Sequence, residues 1–122
     1  MKALVVDDSR AMRLILTRAL EPLGFSVCEA VDGKDALDQV RAGLVPALVL
    51  VDWNMPVMSG IDVVRALADH PARSAMRVVM VTTETEVQRV EEALGTGADE
   101  YLMKPFTKEA VAEKLGLLGL AP

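Results

Sequence analysis

Short apolar runs alternate with amphipathic stretches along this chain, and five of each can be read. The runs are Ala3-Leu4-Val5-Val6, Ser26 to Ala30, Ala47-Leu48-Val49-Leu50-Val51, Val78-Val79-Met80-Val81 and Tyr101-Leu102-Met103. Small and branched apolar residues in a row, as in Ala47 to Val51, predict a strand buried on both faces, as in a parallel sheet. Between them apolar residues recur at helical spacing. Ser9 caps a first helix with Met12, Ile15, Leu16, Ala19, Leu20 and Leu23 inward, closed by Pro22 and Gly24. Asp32-Gly33 turns the chain into a second helix, with Ala36, Leu37 and Val40 inward and Gly43 at its end. A third follows Gly60, buries Ile61, Val64, Leu67 and Ala68, and stops at His70-Pro71. A fourth presents Val87, Val90 and Leu94 before Gly95 and Gly97, and a fifth runs from Thr107 through Val111, Leu115 and Leu118 to Gly119.

Strict β–α alternation predicts an α/β fold, a parallel sheet with helices on both faces. Residues 1–122 read as a single domain, with no linker, low-complexity tract or solenoid-length repeat. A chain of 122 residues with 52% hydrophobic and 25% charged content can bury a core of its own. The net charge of −5 argues against a nucleic-acid surface. No run approaches a membrane span, and Ala3 to Val6 is too short for a signal-peptide core. The single cysteine, Cys28, cannot form an internal disulfide, which fits a reducing cytoplasm, and inside its apolar run it reads as a buried, inert thiol.

What ends the strands changes the picture. Asp7-Asp8, Asp52, Thr82 and Lys104 each follow an apolar run, and in a parallel sheet such residues share one edge, where α/β proteins place their chemistry. Each has an ordinary reading by itself: Asp7-Asp8 as a helix start, Asp52 as a turn former ahead of Asn54 and Pro56, Thr82 as a cap, Lys104 as a solvated lysine. Their joint occurrence at four strand ends does not. If the first and third strands are neighbours, three carboxylates meet, and they need cations to stay ionised. Lys104 supplies one positive charge. An oxygen-preferring divalent ion, best Mg²⁺, supplies two more. Acids, metal, lysine and hydroxyl together can hold a phosphoryl group, with Asp52 as the nucleophile that forms an acyl phosphate.

Asp7-Asp8, Asp52-Trp53-Asn54-Met55-Pro56 with Gly60, Val81-Thr82 and Lys104-Pro105-Phe106 resemble the receiver domain of two-component response regulators, over the whole chain. Asp-Trp-Asn-Met-Pro, Met80-Val81-Thr82 and Tyr101 are most similar to the single-domain chemotaxis type. The resemblance implies a flavodoxin-like (βα)5 three-layer sandwich with strand order 2-1-3-4-5. It implies that Asp52 accepts phosphate from a sensor histidine kinase in a Mg²⁺-dependent reaction. Asp8, Asp52 and the Asn54 carbonyl would ligate the ion, with Asp7 reaching it through water. Lys104 would pair with Asp52 or the phosphoryl group, next to a cis Lys104-Pro105 bond. Thr82 would move toward the phosphoryl group and Tyr101 would swing inward behind it. Those two would change binding of a downstream target on the face made by the fourth helix, fifth strand and fifth helix, with a phosphatase as a further partner. Such a domain is a phosphoacceptor, not an enzyme with a substrate of its own.

Two features depart from the chemotaxis type. Glu84-Thr85-Glu86-Val87 stands where that type offers lysines to the flagellar motor. The chain also ends soon after its fifth helix, so it reads either as a stand-alone regulator or as a receiver cut from a larger protein. Asn54 and Glu84 flank the path of attacking water, which implies a short-lived phosphoryl group. Two rivals are less well supported. An aspartate-nucleophile phosphohydrolase of the haloacid-dehalogenase type needs a second acid where Asn54 stands, and a cap domain that 122 residues cannot hold. A purely binding module would not need the intact acids, Thr82 and Lys104. Neither a P-loop nor a Gly-x-Gly-x-x-Gly sequence supports nucleotide binding.

Overall fold

Each apolar run forms a strand. The computed structural model describes residues 1–83, 91–92, 94–95 and 97–120. The strands are β1 (Lys2–Val6), β2 (Ser26–Ala30), β3 (Leu48–Asp52), β4 (Arg77–Thr83) and β5 (Glu100–Lys104). All pair in parallel, in the order β2-β1-β3-β4-β5. The helices α1 (Arg10–Leu20), α2 (Gly33–Arg41) and α3 (Gly60–Ala68) and a C-terminal helix (Lys108–Leu117) complete a doubly wound α/β sandwich. Ser9, Asp32, Ser59 and Thr107 cap these helices by accepting the N–H three residues on, that of Met12, Asp35, Asp62 and Ala110. Such a cap is worth about 1 kcal/mol. Among the described residues no helix is long and apolar enough to cross a membrane.

Because successive strand side chains point to opposite faces, the sheet divides the interior in two. Leu4, Val6, Val49, Val51, Val78 and Met80 pack with α2 and α3. Ala3, Val5, Leu48, Leu50, Val79, Val81 and Leu102 pack with α1 and the C-terminal helix. Each fully buried Leu or Val contributes about 1.5–3 kcal/mol. An exposed ion pair such as Arg65–Asp62, at 3.7 Å, contributes roughly 0–1 kcal/mol. Apolar packing therefore holds the layers together.

Several inward assignments shift by one helical position. Ile15 is 50% exposed, one residue off the buried stripe Leu16, Ala19 and Leu20. In α3 the stripe is Gly60, Val63, Val64 and Leu67, so Val63 is buried, Ile61 half-buried and Ala68 exposed. Cys28 is half-buried, not buried, because β2 is an edge strand. Leu94 is exposed, and Glu84 through Val90, the start of the expected fourth helix, lie outside the described residues. His70 is half-buried, and its Nδ1 accepts the Ala72 N–H at 3.0 Å. Away from the strands' C-terminal edge, Arg73 ties the chain ahead of β4 to the chain ahead of β5. Its guanidinium donates to the carbonyls of Met76 and Gly97 and, at 3.0 Å, to Asp99, whose carboxylate also accepts the Val78 N–H.

The loop after β3 is tightly built. Trp53 N–H donates to the Val81 carbonyl, and the Trp53 carbonyl accepts the Gly60 N–H. A Cβ on Gly60 would overlap the Asp52 carbonyl oxygen and press on Met80. Val57, 92% exposed, holds a left-handed φ of 70°, which a β-branched residue adopts only under strain. Gly60→Ala is expected to destabilise the protein by about 1–3 kcal/mol, as overpacking does. Val57→Asn is expected to stabilise it by roughly 0.5–1 kcal/mol, since Asn tolerates this backbone. Urea unfolding checks both, as midpoint shifts in opposite directions at unchanged slope.

Candidate functional site

The sheet's register gathers the residues that end its strands. Val6 of β1 pairs with Val51 of β3, so the next residues, Asp7 and Asp52, come side by side. Asp52 pairs with Val81 of β4, one residue before Thr82, and Thr83 pairs with Lys104 at the end of β5. Carboxylate oxygens of Asp7, Asp8 and Asp52 all lie within 4.8 Å of one another, with Asp7 and Asp52 buried and Asp8 exposed. Lys104 Nζ stands 3.1 Å from Asp52 Oδ1 and 4.0 Å from Asp7 Oδ2, and the Lys104-Pro105 bond is cis.

Three carboxylates against one ammonium leave the cluster short of positive charge. Burial pushes the Asp7 carboxyl above its ordinary value. The Ser9 N–H opposes this by donating to Oδ1 at 2.8 Å, and the Asp52 charge adds to the rise. Burial likewise raises Asp52, against the pull of Lys104 and the Asn54 backbone N–H. Asp7 Oδ2 is buried without a hydrogen-bond partner. An orphaned carboxylate oxygen beside two further acids fits an oxygen-seeking divalent cation, and Mg²⁺ suits carboxylates that leave room for water. The donor set present is therefore compatible with that ion.

Thr82 and Tyr101 belong to the same corner. Thr82 is buried, and its Oγ1 donates to the Thr83 carbonyl at 3.3 Å. Tyr101 pairs with Met80 and packs half-buried on the α2/α3 side, the face to which Thr82 also points, two residues beyond Met80. The two are diagonal neighbours on one face. Lys114 Nζ from the C-terminal helix lies 4.3 Å from the Tyr101 ring centroid. Trp53 is buried in the same apolar cluster.

One contributor escaped the sequence reading. Arg13 is only 11% exposed, donates from Nη1 to the Asp7 backbone carbonyl at 2.6 Å and from Nε to Glu29 at 3.0 Å, and so fixes the turn that carries both acids. The available signal was a charge placed three residues before Leu16, on the helix's inward side. A cavity of about 230 Å³ between α2 and α3, lined by Leu37, Val40, Arg41, Leu67 and His70 among others, includes none of the strand-end residues. The acid cluster lies apart from it, at the C-terminal edge of the strands.

A family model described as the response regulator receiver domain matches residues 3–116. Chemotaxis protein CheY of Pseudomonas aeruginosa is 41% identical over 116 residues, covering 94% of this chain and 93% of its own length. Chemotaxis protein CheY1 of Helicobacter pylori is 39% identical over 116 residues, 94% of each chain. Among solved structures, chemotaxis response regulator CheY4 of Vibrio cholerae superposes with a TM-score of 0.88 at 32% identity, over 96% of this chain and 97% of its own. With the strand order, the acid cluster and these relatives in agreement, the chain belongs to the response regulator receiver domain family.

Proposed function

We propose that this receiver is a phosphorylation-dependent switch in which Asp52 accepts a phosphoryl group from the phosphohistidine of a sensor kinase. The observation that carries the reading is the meeting of the Asp7, Asp8 and Asp52 carboxylates with Lys104 Nζ 3.1 Å from Asp52. An Asp52 oxygen attacks phosphorus and forms an O–P bond. The donor's P–N bond breaks, and its electron pair stays on the imidazole. Lys104 is placed to neutralise charge on the transferring group, and Thr82 to donate to one of its oxygens after leaving the Thr83 carbonyl. Asp7, Asp8, Asp52 and the Asn54 backbone carbonyl would hold Mg²⁺. When bound, that ion supplies positive charge that screens acid from phosphoryl group. Residues 1–122 act as one such domain, with no substrate beyond the phosphodonor.

The output rests on the shared face of Thr82 and Tyr101. Drawing Thr82 toward the phosphoryl group vacates volume behind it, and Tyr101 moves into that volume, altering the surface of β5 and the C-terminal helix. A target protein reads that surface, and a phosphatase resets it. The relatives named chemotaxis proteins make a motility target the first to examine. Of the two residues behind the expected short phosphoryl lifetime, Asn54 is exposed beside Asp52 and Glu84 lies outside the described residues. A cytoplasmic location follows from a kinase partner of this class.

With acetyl phosphate and Mg²⁺, intact-mass measurement is expected to show one added phosphoryl group on the wild type and none on Asp52→Asn. Fluorescence of Trp53, the only tryptophan, should respond to Mg²⁺ in both and to beryllofluoride in the wild type alone. An unchanged mass with intact metal response would refute Asp52 as acceptor.

The raised carboxyls carry a second prediction. A folded-state value above the ordinary one means that the native state binds the extra proton, so this contribution favours the fold at low pH and is lost as pH rises through the raised value. In metal-free protein Asp7→Asn is therefore expected to raise the melting temperature at pH 7, with a smaller gain as pH falls toward 4. Mg²⁺ should stabilise the wild type, by about 2.7 kcal/mol at one hundred times its dissociation constant, and Asp7→Asn less. Melting curves with EDTA or Mg²⁺ decide it. A wild type indifferent to Mg²⁺ would remove the metal site.

A further inference from the structure

The sheet separates the C-terminal helix, which packs on the α1 side, from Tyr101, which packs on the α2/α3 side. Lys114 crosses that separation at the β5 edge. Its Nζ lies over the Tyr101 ring at 4.3 Å and 3.4 Å from Glu100 Oε1. The same Glu100 oxygen accepts the Tyr101 N–H at 3.0 Å. Lys114 and Glu100 are 27% and 22% exposed, so both are partly sheltered from solvent. An ammonium on an aromatic face is attracted by the ring's negative face, and the attraction strengthens as water is excluded. Glu100 keeps the ammonium from relaxing into solvent, and it anchors to the backbone of the residue whose ring is being held.

We propose that Lys114, braced by Glu100, is a positioning residue that holds the Tyr101 ring in its present site and so sets the threshold of the switch. This rests on the reading that Tyr101 moves when Asp52 is phosphorylated. Moving the ring away from Lys114 forfeits the ring contact, and the ion pair with Glu100 remains behind. The contact thus stabilises only one of the two states, which is the requirement for shifting a conformational equilibrium. Loss of a partly exposed cation–ring contact should bias that equilibrium by roughly two- to five-fold.

The chain has one tyrosine, so incorporation of 3-fluorotyrosine gives a single fluorine resonance at Tyr101. Lys114→Met keeps the aliphatic stem and loses the charge. Lys114→Arg keeps a cation over the ring, and Glu100→Gln removes the brace while keeping an oxygen for the Tyr101 N–H. Each full-length protein is titrated with beryllofluoride at fixed Mg²⁺, followed by Trp53 fluorescence and the fluorine resonance. Lys114→Met and Glu100→Gln are expected to reach half-saturation at roughly two- to five-fold lower beryllofluoride than wild type, with Lys114→Arg close to wild type. Before beryllofluoride, the Lys114→Met resonance should lie displaced toward the saturated wild-type position.

Half-saturation unchanged in Lys114→Met and Glu100→Gln, with a wild-type resonance that still moves, would overturn the holding role and leave the switch standing. A lowered melting temperature with unchanged half-saturation would do the same, since it is what a merely structural lysine gives. A wild-type resonance that stays fixed while Trp53 reports saturation would overturn the Tyr101 movement, and the holding role with it.

Discussion

Crowding of like charge at the ends of β1 and β3 is the constraint from which the site's behaviour follows. Two unit charges 4 Å apart repel by about 1 kcal/mol in water and about 4 kcal/mol at the effective dielectric of a protein surface. The register that places Asp7 beside Asp52 is imposed by apolar strands, each buried Leu or Val of which contributes about 1.5–3 kcal/mol. Packing outweighs repulsion, so the fold can keep its acids together even with one of their oxygens lacking a hydrogen-bond partner. The tension is stored at the acids, where a change of charge alters the balance. The proposed phosphorylation would act on structure through that balance.

That leverage is channelled by geometry. Lys104 is bound to Asp52 and ends β5, the strand that also carries Tyr101. Thr82, one residue past the Asp52 register partner, shares a sheet face with Tyr101. Any rearrangement at the acids therefore meets the two edge-side strands first. The opposite side is held differently: Arg13 grips the Asp7 carbonyl and Glu29, and Gly60 leaves no room for a Cβ beside the Asp52 carbonyl. Backbone and glycine contacts lie on the one side of the acids, and side-chain contacts of Lys104 and Tyr101 lie toward β5.

The fold was legible because its signals are redundant. Five strand runs, four of them uninterrupted by a polar residue, and the helix starts read at Ser9 and Thr107 agree on element type and place, so an error in one does not propagate. The acids, Thr82 and Lys104 were legible for a related reason: parallel strands put their ends on one edge, whatever the helices do. Inward faces were less so. A helix lying on a sheet buries a narrow stripe, and a rotation of one residue moves Ile15 out and Val63 in while leaving the periodicity intact. Contacts made by long side chains across elements left still less trace. Nothing local to Arg13 names the Asp7 carbonyl as its partner, and nothing near Lys114 names the Tyr101 ring.

The two separate apolar clusters have a consequence for how such a protein can change over generations. Side chains under α1 and the C-terminal helix pack against different partners from those under α2 and α3, because the sheet backbone stands between them. Effects at sites that share no partner add independently. One face can thus drift to suit a new donor or a new target while the other keeps its old shape. Among the described residues, Lys114 reaches round the sheet's margin and ties the two histories together.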